Sequence, residues 1–155
     1  MHTPHHTTAK PMRYALLLRG INVGGKHKVS MDRLKADLME LGFRNVVSYI
    51  NSGNLFFDSS EPEGEIQRTL ACYFDATYDF PVPFIIISAA TFRQEVAQLP
   101  SWWQDDAAYR RDALFYLPEA DKTAIETEAA TWANDREQLY FGRTAFFYCN
   151  HDQAD

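Results

Sequence analysis

The stretch Val46-Val-Ser-Tyr-Ile-Asn-Ser-Gly-Asn-Leu-Phe-Phe57 decides how this chain folds. Val46 to Ile50 reads as a strand, Asn51-Ser-Gly-Asn54 as a turn, and Leu55 to Phe57 as a second strand. Two apolar runs across a short Asn/Ser/Gly turn form a hairpin, so the sheet containing them is at least partly antiparallel. Upstream, Tyr14-Ala-Leu-Leu-Leu18 is a short apolar run, too brief for a helix, that stops at Gly20. Ser30 is a good N-cap, Met31, Leu34, Leu38 and Leu41 follow at helical spacing, and Gly42 supplies the stop. Downstream, Ile66, Leu70, Tyr73, Phe74 and Tyr78 form an apolar stripe with period 3.6. Pro81 and Pro83 close that helix, and Phe84-Ile-Ile-Ile87 is a β-branched strand. The order β-α-β-β-α-β predicts an α+β fold: a ferredoxin-like unit over residues 12–88, one antiparallel sheet with both helices on one face. In that reading the Asn51–Asn54 turn lies at the end of the sheet away from the exit of the first strand.

Residues 89–155 read as β-α-β-β after a short helix capped by Ser88, with Phe92, Val96 and Leu99 on one side. Ala113–Leu117 is a strand, Pro118 opens a helix carrying Ile125, Ala129 and Trp132, and Leu139–Phe141 and Ala145–Tyr148 form a hairpin. Gly142-Arg143 between them is a type II′ turn signal. This second subdomain repeats the opening of the first but lacks a final helix and strand, which predicts an unpaired sheet edge. Residues 1–11 are polar and read as a disordered tail.

Composition narrows the function classes. The 155 residues are 46% hydrophobic and 23% charged, a globular balance. No apolar run approaches a membrane span, the start is not a secretory signal, and two distant cysteines, Cys72 and Cys149, build neither a disulfide scaffold nor a zinc site. A cytoplasmic protein is expected. The net charge is −6, yet residues 1–35 carry seven cations (Lys10, Arg13, Arg19, Lys26, Lys28, Arg33, Lys35) against Asp32 alone. That asymmetry marks an anion-facing surface or a solvated run of lysines. The acidic remainder argues against nucleic acid and for a short anion.

Gly20-Ile-Asn-Val-Gly-Gly-Lys26 has the G-x-x-x-x-G-K spacing of a phosphate loop and follows a strand. His27 stands where Ser or Thr would hold magnesium, the helix begins only near Ser30, and the sheet is antiparallel, so NTPase chemistry does not fit. An anion nest remains: Gly20, Gly24 and Gly25 offer backbone N–H groups, Arg19, Lys26 and Lys28 supply charge, and Asn22 lies between them. The alternative is a tight connection with solvated lysines. The expected ligand is a small phosphate compound or nucleotide, and no cofactor is expected. The other reading is a protein- or RNA-binding, or self-associating, module without catalysis. Homo-oligomers would then form through the open sheet edge. Trp102 and Trp103 could stack a base or anchor a partner, but in such a pair one more often packs under the loop while the other stays partly exposed. His2, His5 and His6 in the tail, and isolated His27 and His151, define no metal site. No acid, base or nucleophile is singled out, which leaves open whether there is a reaction.

At Tyr14-Ala-Leu-Leu-Leu-Arg-Gly-Ile-Asn-Val-Gly-Gly-Lys26 and at Leu41-Gly-Phe…Val47…Tyr49-Ile-Asn-Ser-Gly-Asn54, the sequence resembles bacterial domain of unknown function family 1697. Residues 13–58 carry the resemblance; Leu139-Tyr-Phe-Gly142 resembles the family more loosely. It implies a small α+β protein of ferredoxin-like elements, without an agreed activity and without catalytic residues to carry over. It also implies that members usually continue past the position of Asp155, in keeping with the missing helix and strand.

Overall fold

The computed structural model describes residues 9–50 and 53–151. The histidines of the tail, His2, His5 and His6, and the turn residues Asn51 and Ser52 lie outside the described residues. The chain divides into two compact units, one ending at Ala89 and the other beginning at Ala90.

The first unit follows from its hydrophobic pattern. Strand β1 (Met12–Leu18) buries every second residue, Tyr14, Leu16 and Leu18. Helix α1 (Met31–Glu40) starts where the Ser30 side chain accepts the Arg33 N–H and buries Met31, Leu34 and Leu38. Strands β2 (Arg44–Tyr49) and β3 (Asn54–Ser59) form the hairpin. Helix α2 (Glu63–Thr77) buries Ile66, Leu70 and Phe74, and β4 (Phe84–Ser88) completes a sheet of order β2-β3-β1-β4. All three pairings are antiparallel. Strands β1 and β2 therefore run the same way with β3 between them, which is what a split βαβ unit requires. Both helices share one core with Tyr14, Leu16, Leu18, Leu55 and Phe57 of the sheet. Phe57 is its centre, wholly buried, 5.5 Å from the Tyr14 ring and 4.6 Å from that of Phe43.

Edge strand β2 carries a bulge between Arg44 and Val47, where Asn45 has φ +50°. A bulge blunts an edge and needs local support. Arg13 supplies it by donating to the Asn45 carbonyl at 2.8 Å while pairing with Asp58 at 3.0 Å, and the Asn45 amide donates to Asp58 at 2.7 Å. These donors, Asn45 first and then Arg13, hold the Asp58 carboxyl below its ordinary pKa of 3.8. A folded-state pKa below the unfolded value stabilises above the unfolded pKa, and the benefit is lost as pH falls through the folded one. In urea titrations, Asp58→Asn should lower the midpoint at neutral pH. The gap to the natural protein should close as the pH drops below about 4. A gap that does not depend on pH would exclude this role for the carboxylate.

The second unit begins one residue into α3 (Ala89–Ala97) and holds a 3-10 turn (Ser101–Gln104), β5 (Arg110–Phe115), α4 (Lys122–Ala130), β6 (Glu137–Phe141) and β7 (Ala145–Asn150). Its antiparallel sheet has the order β5-β7-β6. Helix α4 is capped by Asp121, which accepts the Ala124 N–H, so Pro118 lies ahead of the helix instead of opening it. The apolar side of α3 is not the side it buries. Phe92 and Val96 are exposed, and the buried residue of α3 is Glu95. Its carboxylate accepts the backbone N–H groups of Arg143 at 3.2 Å and Thr144 at 3.0 Å. Those are the two central residues of the four-residue turn Gly142–Ala145 that joins β6 to β7, closed by Gly142 N–H to the Ala145 carbonyl.

The type II′ turn at Gly142 is corrected by the same geometry. Gly142 has no left-handed φ, and neither Arg143 nor Thr144 has a positive one. Glycine is needed there for space, because a Cβ would fall 2.0 Å from the Glu95 carboxylate oxygen. Trp102 and Trp103 are both half-buried in the 3-10 turn, and Trp103 meets Phe147 edge-on at 5.1 Å. Among the described residues no helix is long and apolar enough to cross a membrane.

Candidate functional site

The sequence places its glycine-rich basic segment directly after β1, and the structure turns that segment into a small hairpin. Buried Ile21 and Val29 anchor its two ends, while residues 22–28 are exposed. Asn22, at φ +54°, donates its backbone N–H to the His27 carbonyl at 3.0 Å. Its side-chain amide grips Val29 twice, accepting the N–H at 2.8 Å and donating to the carbonyl at 3.0 Å. The Asn22 amide therefore shapes the loop.

At the tip, Lys26 N–H donates to the Val23 carbonyl at 3.0 Å across Gly24 and Gly25, whose φ values are +59° and +75°. Two successive left-handed residues make a type I′ turn. That differs from an anion nest, which needs alternating right- and left-handed residues to converge its N–H groups. Gly20, also left-handed at φ +70°, bends the chain after Arg19, whose N–H is taken by the Pro83 carbonyl at 2.9 Å. The His27 ring stacks on Phe80 at 4.6 Å, with Nδ1 3.3 Å from the Gly20 carbonyl oxygen.

Sequence reasoning put the Asn51–Asn54 turn at the far end of the sheet, and this is wrong. Strand β3 runs antiparallel to β1, so its first residues meet the last residues of β1: Leu17 faces Asn54. Leu18 N–H donates to the Gly53 carbonyl at 2.9 Å. Gly53, at φ +81°, lies so close that a Cβ would be 3.0 Å from both Ile21 and Leu18 side chains. The two distinctive motifs thus converge at one end of the sheet, with the segment bearing Phe80 and Pro83. The pairing rule for antiparallel strands was the signal that could have revealed it.

Around this end Arg19, Lys26 and Lys28 are exposed, together with Val23, Tyr49 and Ile50. Ile50 has φ +52°, unfavourable for a β-branched residue. None of Arg19, Lys26 and Lys28 has a carboxylate within 4.0 Å among the described residues, whereas Arg13, Arg33 and Lys35 each do. A shallow cleft of about 480 Å³ near the start of β1 is lined by Lys10 and Arg44 but also by Asp58 and Glu61, so it is no clear anion site. The other isolated histidine, His151, sits 3.1 Å from the Gln138 side-chain oxygen and 3.6 Å from the buried Cys149 sulfur. Burial raises the pKa of that thiol, which opposes a nucleophilic role.

Residues 12–147 match the model of a family described as protein of unknown function, DUF1697. Among solved structures the chain is similar to the conserved bacterial protein SP0830 from Streptococcus pneumoniae, at 39% identity and a TM-score of 0.87. The likeness covers 93% of this chain and 79% of that one. No curated protein matches the chain. With the match running from β1 into β7 and both motifs of the converging loops inside it, the chain belongs to the DUF1697 family of proteins of unknown function.

Proposed function

We propose that the basic hairpin after β1 binds a small phosphate-bearing ligand, with a nucleotide among the compounds of that class. The observation that carries this reading is the set of three exposed cations, Arg19, Lys26 and Lys28, without acidic partners among the described residues, in a chain of net charge −6. Left unpaired, they give a local positive potential to which an anion is drawn. Lys26 and Lys28 flank the tip, Arg19 stands at its root, and the exposed Gly24 and Gly25 peptide groups add donors. Helix α1 begins just beyond, at Met31 after the Ser30 cap, and its positive end reinforces the field. Asn22 contributes by holding the loop in shape.

The test is an amide NMR titration with pyrophosphate and with ATP. Shifts should centre on residues 19–30. Lys26→Ala with Lys28→Ala should weaken binding about tenfold or more, a loss of about 1.4 kcal/mol, with the rest of the spectrum unchanged. Raising salt should weaken it only modestly, whereas a long nucleic acid would respond steeply. Absence of shifts in the loop with a folded spectrum would remove the proposal.

A further inference from the structure

We infer that His27 is the proton-dependent binding residue of the basic loop, so that the loop holds its phosphate ligand more tightly as pH falls. This rests on the anion-binding reading above and adds a residue which that reading leaves unused. His27 is exposed and lies between Lys26 and Lys28 in the chain. Two contacts nevertheless fix its ring. It stacks on Phe80 with centroids 4.6 Å apart and planes 19° from parallel. Its Nδ1 is 3.3 Å from the Gly20 carbonyl oxygen. The backbone is fixed as well, because the His27 carbonyl accepts the Asn22 N–H at 3.0 Å. These contacts set the tautomer. A carbonyl oxygen only accepts, so Nδ1 carries the hydrogen of the neutral ring. Nε2 then holds the lone pair and takes the second proton. It has no hydrogen-bond partner among the described residues. A neutral Nε2 is an acceptor and repels an anion, whereas a protonated one offers both a donor and a charge. Histidine makes that change between about pH 5 and 8.

The neighbours of the ring pull in opposite directions. The face of Phe80 and the Gly20 carbonyl favour the imidazolium. Arg19, Lys26 and Lys28, all on the same loop, oppose it as like charges. On the segment of Phe80 the other ionisable groups are Asp79 and Tyr78. Asp79 is exposed, and neither it nor His27 belongs to an ion pair among the described residues. A tyrosine ionises only near about pH 10, outside the range of interest. At the start of α1, Asp32 is engaged by Lys35 at 3.0 Å. The cations are therefore the main obstacle to the second proton. An anion seated among them removes that obstacle, so binding takes up a proton at Nε2. Coupling between two binding events is reciprocal, so the proton strengthens binding of the anion by the same factor.

The experiment is an amide NMR titration of the full chain with sulfate, whose charge stays constant from about pH 5.5 to about pH 8, the window in which histidine titrates. Sulfate should bind about fivefold more tightly at the lower pH than at the higher. His27→Gln should flatten that profile, although His151 and the tail histidines still titrate in it. His27→Arg supplies a planar donor that can stack on Phe80 and keeps its charge. It should bind at the higher pH as the natural protein does at the lower. Amides outside the loop should match in all three proteins, which separates a binding role from a structural one. Shifts at residues 19–30 with an affinity independent of pH would overturn the role of His27 and leave the anion site standing. A pH dependence that persists in His27→Gln would overturn it too. No shifts at either pH would remove the site and the proton coupling together.

Discussion

Phe57→Ala should cost about 3–5 kcal/mol, the usual range for deleting a fully buried aromatic. Phe57 lies on the central part of the first sheet, on the face shared by α1 and α2, and touches the rings of Tyr14 and Phe43. Removing it empties the place where sheet and helices meet, and the rings around it cannot collapse into the gap without leaving their own contacts. Typical domains hold only about 5–15 kcal/mol in total, so the loss is a large share. Far-UV circular dichroism in urea is the suitable probe, because α1 and α2 lie in this unit. A midpoint unchanged from the natural protein would mean that Phe57 is not the centre of the core.

The second large effect is expected at Gly142. Alanine there puts a methyl 2.0 Å from the Glu95 carboxylate oxygen and 3.0 Å from the Ala145 carbonyl. The side chain of Glu95 can swing away, but only by releasing the N–H groups of Arg143 and Thr144. Hydrogen bonds to a charged group contribute about 1.5–3 kcal/mol each, and a displaced buried carboxylate adds desolvation cost. A loss of about 2–4 kcal/mol follows. Tryptophan fluorescence is the probe, since Trp102, Trp103 and Trp132 all lie in the second unit. In a double-mutant cycle, Gly142→Ala should cost far less once Glu95 is already alanine. Additive costs would rule out the carboxylate as the obstacle.

The sequence made the alternation of strands and helices legible because period 2 and period 3.6 leave direct marks in the positions of Leu, Phe and Ile. Tyr14, Leu16 and Leu18 in β1, and Ile66, Leu70 and Phe74 in α2, are buried as their spacing requires. What periodicity could not show is a polar group recruited inward. Helix α3 offers Phe92 and Val96 as its apolar face, yet Glu95 is buried, because a distant hairpin supplies the amides that satisfy it. Gly142 was legible as special, but for the wrong reason: its neighbour in space, not its own φ, forbids a side chain. The glycine-rich loop was legible as distinctive and basic. Its closing bonds, the Asn22 clamp and the Gly24-Gly25 turn, depend on pairings that the spacing G-x-x-x-x-G-K does not encode. The convergence with the Gly53 turn was available in principle, since antiparallel neighbours always bring one strand's exit to the other's entrance.

The loop after β1 is closed at its base by Asn22, which ties itself to His27 and Val29, while Val23 to Lys26 stand beyond that closure. A closed base makes the tip an exchangeable cassette. Peptides grafted between Gly24 and Gly25 would be displayed on a fixed stem, and a library built there would sample recognition with little burden on folding.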